Sequence, residues 1–276
     1  MVENSEAKRE KFASALEQRE EIFRQAQGKQ LAVFFDYDGT LTPIVARPEE
    51  AALDRRIRQT LKKLAKQCTV AVISGRDLRD VQSLVSLEGI FYAGNHGFEI
   101  TGPQGRHSEN RWGKQFLPAL ERAEKSLRER LEKKIQGVQV ERKKFSIAVH
   151  YRRVAEVKVR EVEGVVDQVQ KENGRLRRTS GKKIFELTPD IDWHKGKALL
   201  WLLEQLGING PEVLPFYLGD DVTDEDAFEV LKDRGVGIAV QEKPIPTAAR
   251  YRLRNPEEVE KFLKELLAYT KENRSG

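Results

Sequence analysis

At 276 residues, 39% hydrophobic and 34% charged, the chain has ample material for one large domain, or for a core with a smaller partner. A single cysteine, Cys68, excludes an internal disulfide or a thiolate metal centre and suits a reducing cytoplasm. The charged stretch Met1 to Lys29 offers no export signal, and no apolar run is long enough for a bilayer, so neither membrane nor export is expected. The net charge of +5 is uneven: 21 of the 49 Lys and Arg but only 12 of the 44 Asp and Glu fall between Ser108 and Thr188. A basic middle that attracts an anion between acidic flanks that hold a cation would give this asymmetry. For most of those basic residues a solvated surface is explanation enough. No aromatic-basic surface of the kind that reads nucleic acid is visible, so no nucleic-acid partner is expected.

In chain order, Glu6 to Gln27 reads as a charged, weakly amphipathic helix with Phe12, Leu16 and Phe23 on one side, packing outside the core. Leu31 to Phe35 is a continuous apolar strand. From Leu53 the spacing of Leu53, Ile57, Leu61 and Leu64 predicts a helix. Strand Thr69 to Ile73, helix Asp77 to Val85 and strand Ile90 to Ala93 continue an alternation that specifies a parallel sheet covered by helices. The alternation then breaks. From Trp112 to about Lys134 a long charged helix is expected, then strands around Val138 to Val140 and Phe145 to Tyr151, a helix from Ala155 to Lys171, and strands near Leu176 and Ile184 to Leu187. After Pro189 the alternation resumes with helix Lys195 to Leu206, strand Val213 to Leu218, helix Asp224 to Leu231, strand Val236 to Val240 and a last helix from Pro256. The expected organisation is therefore a helical extension over residues 1–29, an α/β core over 30–107 and 189–276, and an inserted α+β unit over 108–188.

The chemistry gathers where strands end. Leu31 to Phe35 runs into Asp36-Tyr37-Asp38-Gly39-Thr40, and strand alternation turns Asp36 and Asp38 to one side at the carboxyl end, where open α/β sheets bind ligands. Two carboxylates with no nearby Cys and few His invite Mg²⁺; a calcium loop fits neither acidic segment. Phe216 to Gly219 runs into Asp220 and Asp221, which repel unless a cation or basic group neutralises them. Asp220 is the expected metal ligand, with Asp221 and Asp224 supporting it from behind; capping and the helix dipole account equally for Asp224. Ser74-Gly75-Arg76 at the end of the second strand suits a grip on phosphate oxygens, and equally an ordinary Ser cap. Lys195 opens a helix against its dipole, which neutralising a phosphate beside two carboxylates would explain; the Walker A spacing is absent. Together the segments outline a magnesium-dependent phosphoryl-transfer site.

These motifs resemble the four ordered motifs of the haloacid dehalogenase superfamily: Asp36-x-Asp38, Ser74, Lys195 and Gly219-Asp220-Asp221. Within it, Gly94-Asn-His-Gly, His150-Tyr-Arg, Phe185-Glu-Leu-x-Pro189, Lys195-Gly-Lys-Ala and Gly219-Asp-Asp-x-Thr-Asp-Glu-Asp-Ala-Phe228 look like the trehalose-6-phosphate phosphatase family, over about Leu31 to Leu266. Asn95 stands where that family often has Ser, and His194 where Asp or Asn is common. The resemblance implies a Rossmann-like, haloacid dehalogenase-like parallel-sheet core with an inserted α+β cap domain. It also implies a sugar phosphate as substrate and Asp36 as the nucleophile that forms an aspartyl-phosphate. Asp38 would be the acid and base and give a backbone carbonyl to Mg²⁺, with Asp36 and Asp220 as its other ligands. Ser74 and Lys195 would hold the phosphate. The basic insertion would close as a cap, with His150, Arg152, Lys182 and Glu186 for the sugar and Arg76, His96 and Gly97 at the core edge; His150 and Tyr151 are read equally well as a strand-end packing pair. A sucrose- or mannosylglycerate-type phosphatase, a phosphohexomutase, and a non-catalytic phosphosugar- or nucleic-acid-binding protein are the alternatives.

Overall fold

Two parallel strands, Gln30–Phe35 (β2) and Val213–Gly219 (β11), pair in register from Val213 opposite Gln30 to Leu218 opposite Phe35, and everything else in the first unit is arranged about them. The computed structural model describes residues 13–45, 47–109, 113–181 and 183–273. Over these the chain forms two compact units, 1–108 with 193–276, and 109–192.

Along the first unit run Ala13–Ser14 (β1), Arg19–Ala26 (α1), β2, Arg55–Leu64 (α2), Thr69–Ile73 (β3), Leu78–Val85 (α3), Phe91–Gly94 (β4), Glu99–Thr101 (β5) and His107–Glu109 (β6). After the second unit, which contributes Leu117–Leu127 (α4), Gln139–Arg142 (β7), Ile147–His150 (β8), Glu156–Glu172 (α5), Leu176–Gly181 (β9) and Ile184–Pro189 (β10), come Lys195–Gln205 (α6), β11, Glu225–Leu231 (α7), Val236–Val240 (β12), Tyr251–Leu253 (β13) and Pro256–Glu272 (α8).

Among the described residues the first sheet has nine strands in the order β1-β13-β12-β11-β2-β3-β4-β5-β6, with β4 and β5 antiparallel and the pairs from β1 to β4 parallel. Alternate residues of each central strand go to opposite faces, so continuous apolar runs feed two cores. Val33, Phe35, Val72, Phe216 and Ile238 pack with α2, α3 and α8; Phe34, Ala71, Ile73 and Tyr217 pack with α6 and α7. From β2 the chain moves out through β3 and β4, then returns on the other side through β11. The carboxyl ends of β2 and β11 therefore form the switch point at which such sheets open a crevice.

The N-terminal segment departs from the expected continuous outer helix. Over the described residues, Ala13 and Ser14 pair in parallel with Tyr251 and Arg252, covering an edge that would otherwise expose unpaired backbone groups. Ala15, Ile22 and Ala26 are buried in the core, and Phe23 stacks on Tyr269 with ring centroids 4.8 Å apart. Phe12 lies outside the described residues.

In the second unit a four-stranded antiparallel sheet, β7-β8-β10-β9, packs one face on α4 and α5 through Val140, Ile147, Val149, Phe185 and Leu187 against Leu120, Leu127, Val162 and Val166. The other face carries Glu141, Ala148, Glu186 and Thr179 side by side. The first helix begins at Leu117, five residues later than expected, with Pro118 in its first turn. Trp112 lies outside the described residues.

Candidate active site

Lys195 begins α6, is almost fully buried, and its Nζ donates to Asp36 Oδ1 and to Asp224 Oδ1, both at 2.6 Å. Asp36 comes directly after the last residue of β2, its backbone N–H donating to Leu218 O. Asp224 is saturated: Oδ1 also accepts from the Tyr217 hydroxyl at 2.6 Å, and Oδ2 accepts the backbone N–H groups of Asp220 and Asp221 at 3.0 and 2.9 Å. It therefore acts as scaffold, tying β11, its loop and α6 together. Asp221 accepts from Val222 N and caps the turn Val222–Asp224, in a reciprocal capping box with Asp224.

Burial pushes the Asp36 carboxyl well above the usual carboxylate range; Asp224 and Asp220 add to this and Lys195 opposes it. Burial alone would push the Lys195 ammonium down, but the charges of Asp224 and Asp36 outweigh it and carry the group upward, so it stays protonated. Tyr217 is pushed up by burial and then by Asp224, and remains a donor. Lys195 Nζ donates to two carboxylates of a group of three: Asp36, Asp220 and Asp224 each bring an oxygen within 4.8 Å of the others. The surplus of negative oxygen fits a hard divalent cation. Room for this arrangement depends on Gly39, whose φ is +89° and where a Cβ would stand 2.1 Å from an Asp220 carboxylate oxygen.

The Asp38 carboxylate is elsewhere. Strand alternation predicts that it joins Asp36, but β2 ends at Phe35 and Asp38 sits in the turn closed by Gly39 N–H to Thr42 O. Its two oxygens each accept from Arg76, through Nη2 and Nε, at 2.7 Å. Arg76 Nη1 donates to Asp80 at 2.8 Å. Ser74 is buried, and its Oγ accepts from the Arg76 backbone N–H at 3.1 Å. The helix cap is Asp77, which accepts from Arg79 N at 3.1 Å, so Ser74 does not cap α3.

After β4 the segment Asn95-His96-Gly97 runs through three positive φ angles, 50°, 55° and 91°. Its backbone N–H groups bind the Ser74 loop, Asn95 to Arg76 O and His96 to Ser74 O. The His96 ring lies against Gly75, where a Cβ would meet it at 2.8 Å. A Cβ at Gly97 would meet that of Ala198 at 2.2 Å, so only glycine lets this loop reach α6.

In the second unit Glu186 Oε1 accepts from Lys143 Nζ at 3.0 Å and from the Ser146 hydroxyl at 2.8 Å. His150 Nε2 is 2.7 Å from Glu141 Oε2, and that contact holds the Glu141 carboxyl below its ordinary value. Tyr151 stacks on Phe185 at 4.5 Å. Arg152 is exposed in the turn after β8, and Lys182 lies outside the described residues. Sequence reasoning missed Tyr217, Asp80, Glu141, Lys143 and Ser146. Tyr217 two residues before Gly219 is the one whose strand parity, facing α6 and α7, carried a usable signal.

The parallel sheet with a buried Asp-Lys-Asp bridge at its switch point has a haloacid dehalogenase-like fold. The solved structure of a haloacid dehalogenase-like hydrolase from Bacteroides thetaiotaomicron shares this fold, with TM-score 0.62 and 18% identity over 86% of this chain and 99% of that one. The C-terminal domain of C. albicans trehalose-6-phosphate phosphatase shares it too, with TM-score 0.77 and 23% identity over 91% and 96%. The chain belongs to the trehalose-phosphatase family, which matches residues 34–257, and it is therefore a phosphatase. It is similar to probable trehalose-phosphate phosphatase H of Arabidopsis thaliana, 43% identical over 95% of this chain and 79% of that protein.

Proposed function

We propose that the protein hydrolyses trehalose 6-phosphate to trehalose and inorganic phosphate through an aspartyl-phosphate on Asp36. The reading is carried by the Lys195 bridge to Asp36 and Asp224, in a chain whose relatives at 43% identity and above include proteins named trehalose-phosphate phosphatases.

An Asp36 oxygen attacks phosphorus while the bond to the sugar oxygen breaks, and Asp38 gives that oxygen its proton. Water then attacks the phosphoryl group and Asp38 takes a proton from it; the electron pair of the breaking bond returns to Asp36. One hard displacement becomes two easier ones. Uncatalysed phosphate-monoester hydrolysis is slow enough that up to ~10²¹-fold acceleration is needed, so neutralising the transferring group dominates. Lys195 supplies one fixed charge there. Ser74 Oγ accepts from Arg76 N–H, which leaves its hydroxyl proton for a phosphate oxygen. Asp36, Asp220 and the backbone carbonyl of Asp38 would hold Mg²⁺, which would supply further positive charge for the phosphoryl oxygens.

Sugar selectivity is assigned to Glu186, His150, Arg152 and Lys182, with His96 and Gly97 beside the Ser74 loop. Glu186 is side-chain 13% exposed and already paired with Lys143, and its remaining lone pairs serve as acceptors for sugar hydroxyls. Phosphate release from a panel of disaccharide and hexose phosphates, with Mg²⁺ and with chelator, tests the reading. Preference for trehalose 6-phosphate and loss of turnover with chelator or Asp36→Asn are expected; sustained turnover in Asp36→Asn would refute it.

A further inference from the structure

Arg76 stands in the phosphate-gripping segment, yet its guanidinium faces two carboxylates. Nε and Nη2 form a fork on Asp38, each bond 2.7 Å, and Nη1 reaches Asp80 at 2.8 Å on the first turn of α3. The guanidinium carbon lies 5.6 Å from the centroid of the Tyr37 ring, and the Tyr37 hydroxyl is anchored on Ala51 O at 2.6 Å. The Arg76 side chain is 10% exposed while the Asp38 side chain is 40% exposed. A rigid, nearly buried donor pair therefore grips a carboxylate that itself looks out toward solvent.

We propose that Arg76, fixed in turn by Asp80, is the positioning residue that aims the Asp38 carboxylate, rather than a ligand for substrate phosphate. A carboxylate offers about four lone-pair sites, and the fork uses two. The remaining two receive the proton of the attacking water and, in the first step, hold the proton given to the sugar oxygen. The arrangement has the general logic of an acid–base group oriented by a third residue. Without the fork, the partly exposed Asp38 side chain turns away from its buried loop and spends less time in reach of the water. No bond to substrate is made by Arg76 in this scheme; proton and electron transfers are those already given for Asp36 and Asp38.

The inference rests on Asp38 being the acid and base, so the experiment separates the two. Steady-state kinetics with trehalose 6-phosphate, product inhibition by inorganic phosphate, and the fraction of phosphorylated enzyme trapped by acid quench are measured for Arg76→Gln, Arg76→Lys, Asp80→Asn and Asp38→Asn. Arg76→Gln is expected to lower kcat about 10- to 100-fold in the manner of a lost orientation, to raise the trapped phosphoenzyme fraction, and to leave phosphate inhibition unchanged. Arg76→Lys recovers part of kcat because one charged contact survives. Asp80→Asn, on a half-exposed side chain, gives a smaller change in the same direction and stands as the test if Arg76→Gln does not fold. A raised KM and weakened phosphate inhibition at unchanged kcat overturn the inference and make Arg76 a phosphate ligand. So does unchanged kcat in both Arg76→Gln and Asp80→Asn while Asp38→Asn is inactive. Normal turnover in Asp38→Asn instead removes the acid–base reading itself.

Discussion

Lys195 concentrates the physics of the site in one ammonium group. It is 3% exposed, and its partners Asp36 and Asp224 are 7% and 0% exposed, so two desolvated carboxylates depend on one cation. Lys195→Met keeps the volume and removes the charge. Breaking a buried pair this way costs about 3–5 kcal/mol. The expected outcome is an unfolding free energy, read from urea denaturation, lowered by that amount together with loss of turnover; a variant of wild-type stability would mean that the pair is solvated. Asp224 carries no substrate role in this picture. Its four donors, two of them backbone N–H groups, make it the residue that gives the Asp220 loop its shape.

Among the strands and helices of the first unit, each candidate catalytic side chain sits where a strand gives way to a loop or where a helix starts. β2 delivers Asp36, β3 delivers Ser74 and Arg76, β11 delivers Asp220, and the start of α6 delivers Lys195. Parallel pairing of β11 with β2 and of β2 with β3 brings these ends level, which is why residues remote in sequence meet. The helices attached to these loops must start where they do. α3 begins one residue after its cap, Asp77, and carries Asp80 in its first turn. Asp77→Ala is expected to cost ~1 kcal/mol, the usual worth of such a cap. That corresponds to a melting temperature lower by about 2–4 °C for a domain of this size, read by calorimetry. A fall in kcat larger than the stability loss explains would show that the cap also holds Asp80 against Arg76.

For the protein taken entire, the surplus of carboxylate over ammonium at the switch point predicts that the native chain gains stability from a divalent cation. Mg²⁺ at 100 times its dissociation constant should add about 2.7 kcal/mol to unfolding, by mass action alone. Scanning calorimetry with and without Mg²⁺ reads this without any turnover, and Asp220→Asn should shrink the shift. An equal shift in Asp220→Asn would move the metal elsewhere.

The parallel core and the ordered acidic segments are legible in the order of amino acids, because buried strands are continuous apolar runs and each motif lies within a few residues of a strand end. So is the paradox of Lys195, a cation at the wrong end of a helix, which asks for carboxylates nearby. Contacts set by partners far along the chain were not legible. Strand parity paired Asp38 with Asp36, but the turn after β2 handed Asp38 to Arg76. The N-terminal segment read as an outer helix, but the open edge at β13 took Ala13 and Ser14 as a strand. Short strands such as β5 and β13, three residues each, have too little periodicity to be read and exist because a sheet edge was there to pair with. Local pattern sets what a segment buries; which charge it meets depends on strand ends that only the folded chain brings together.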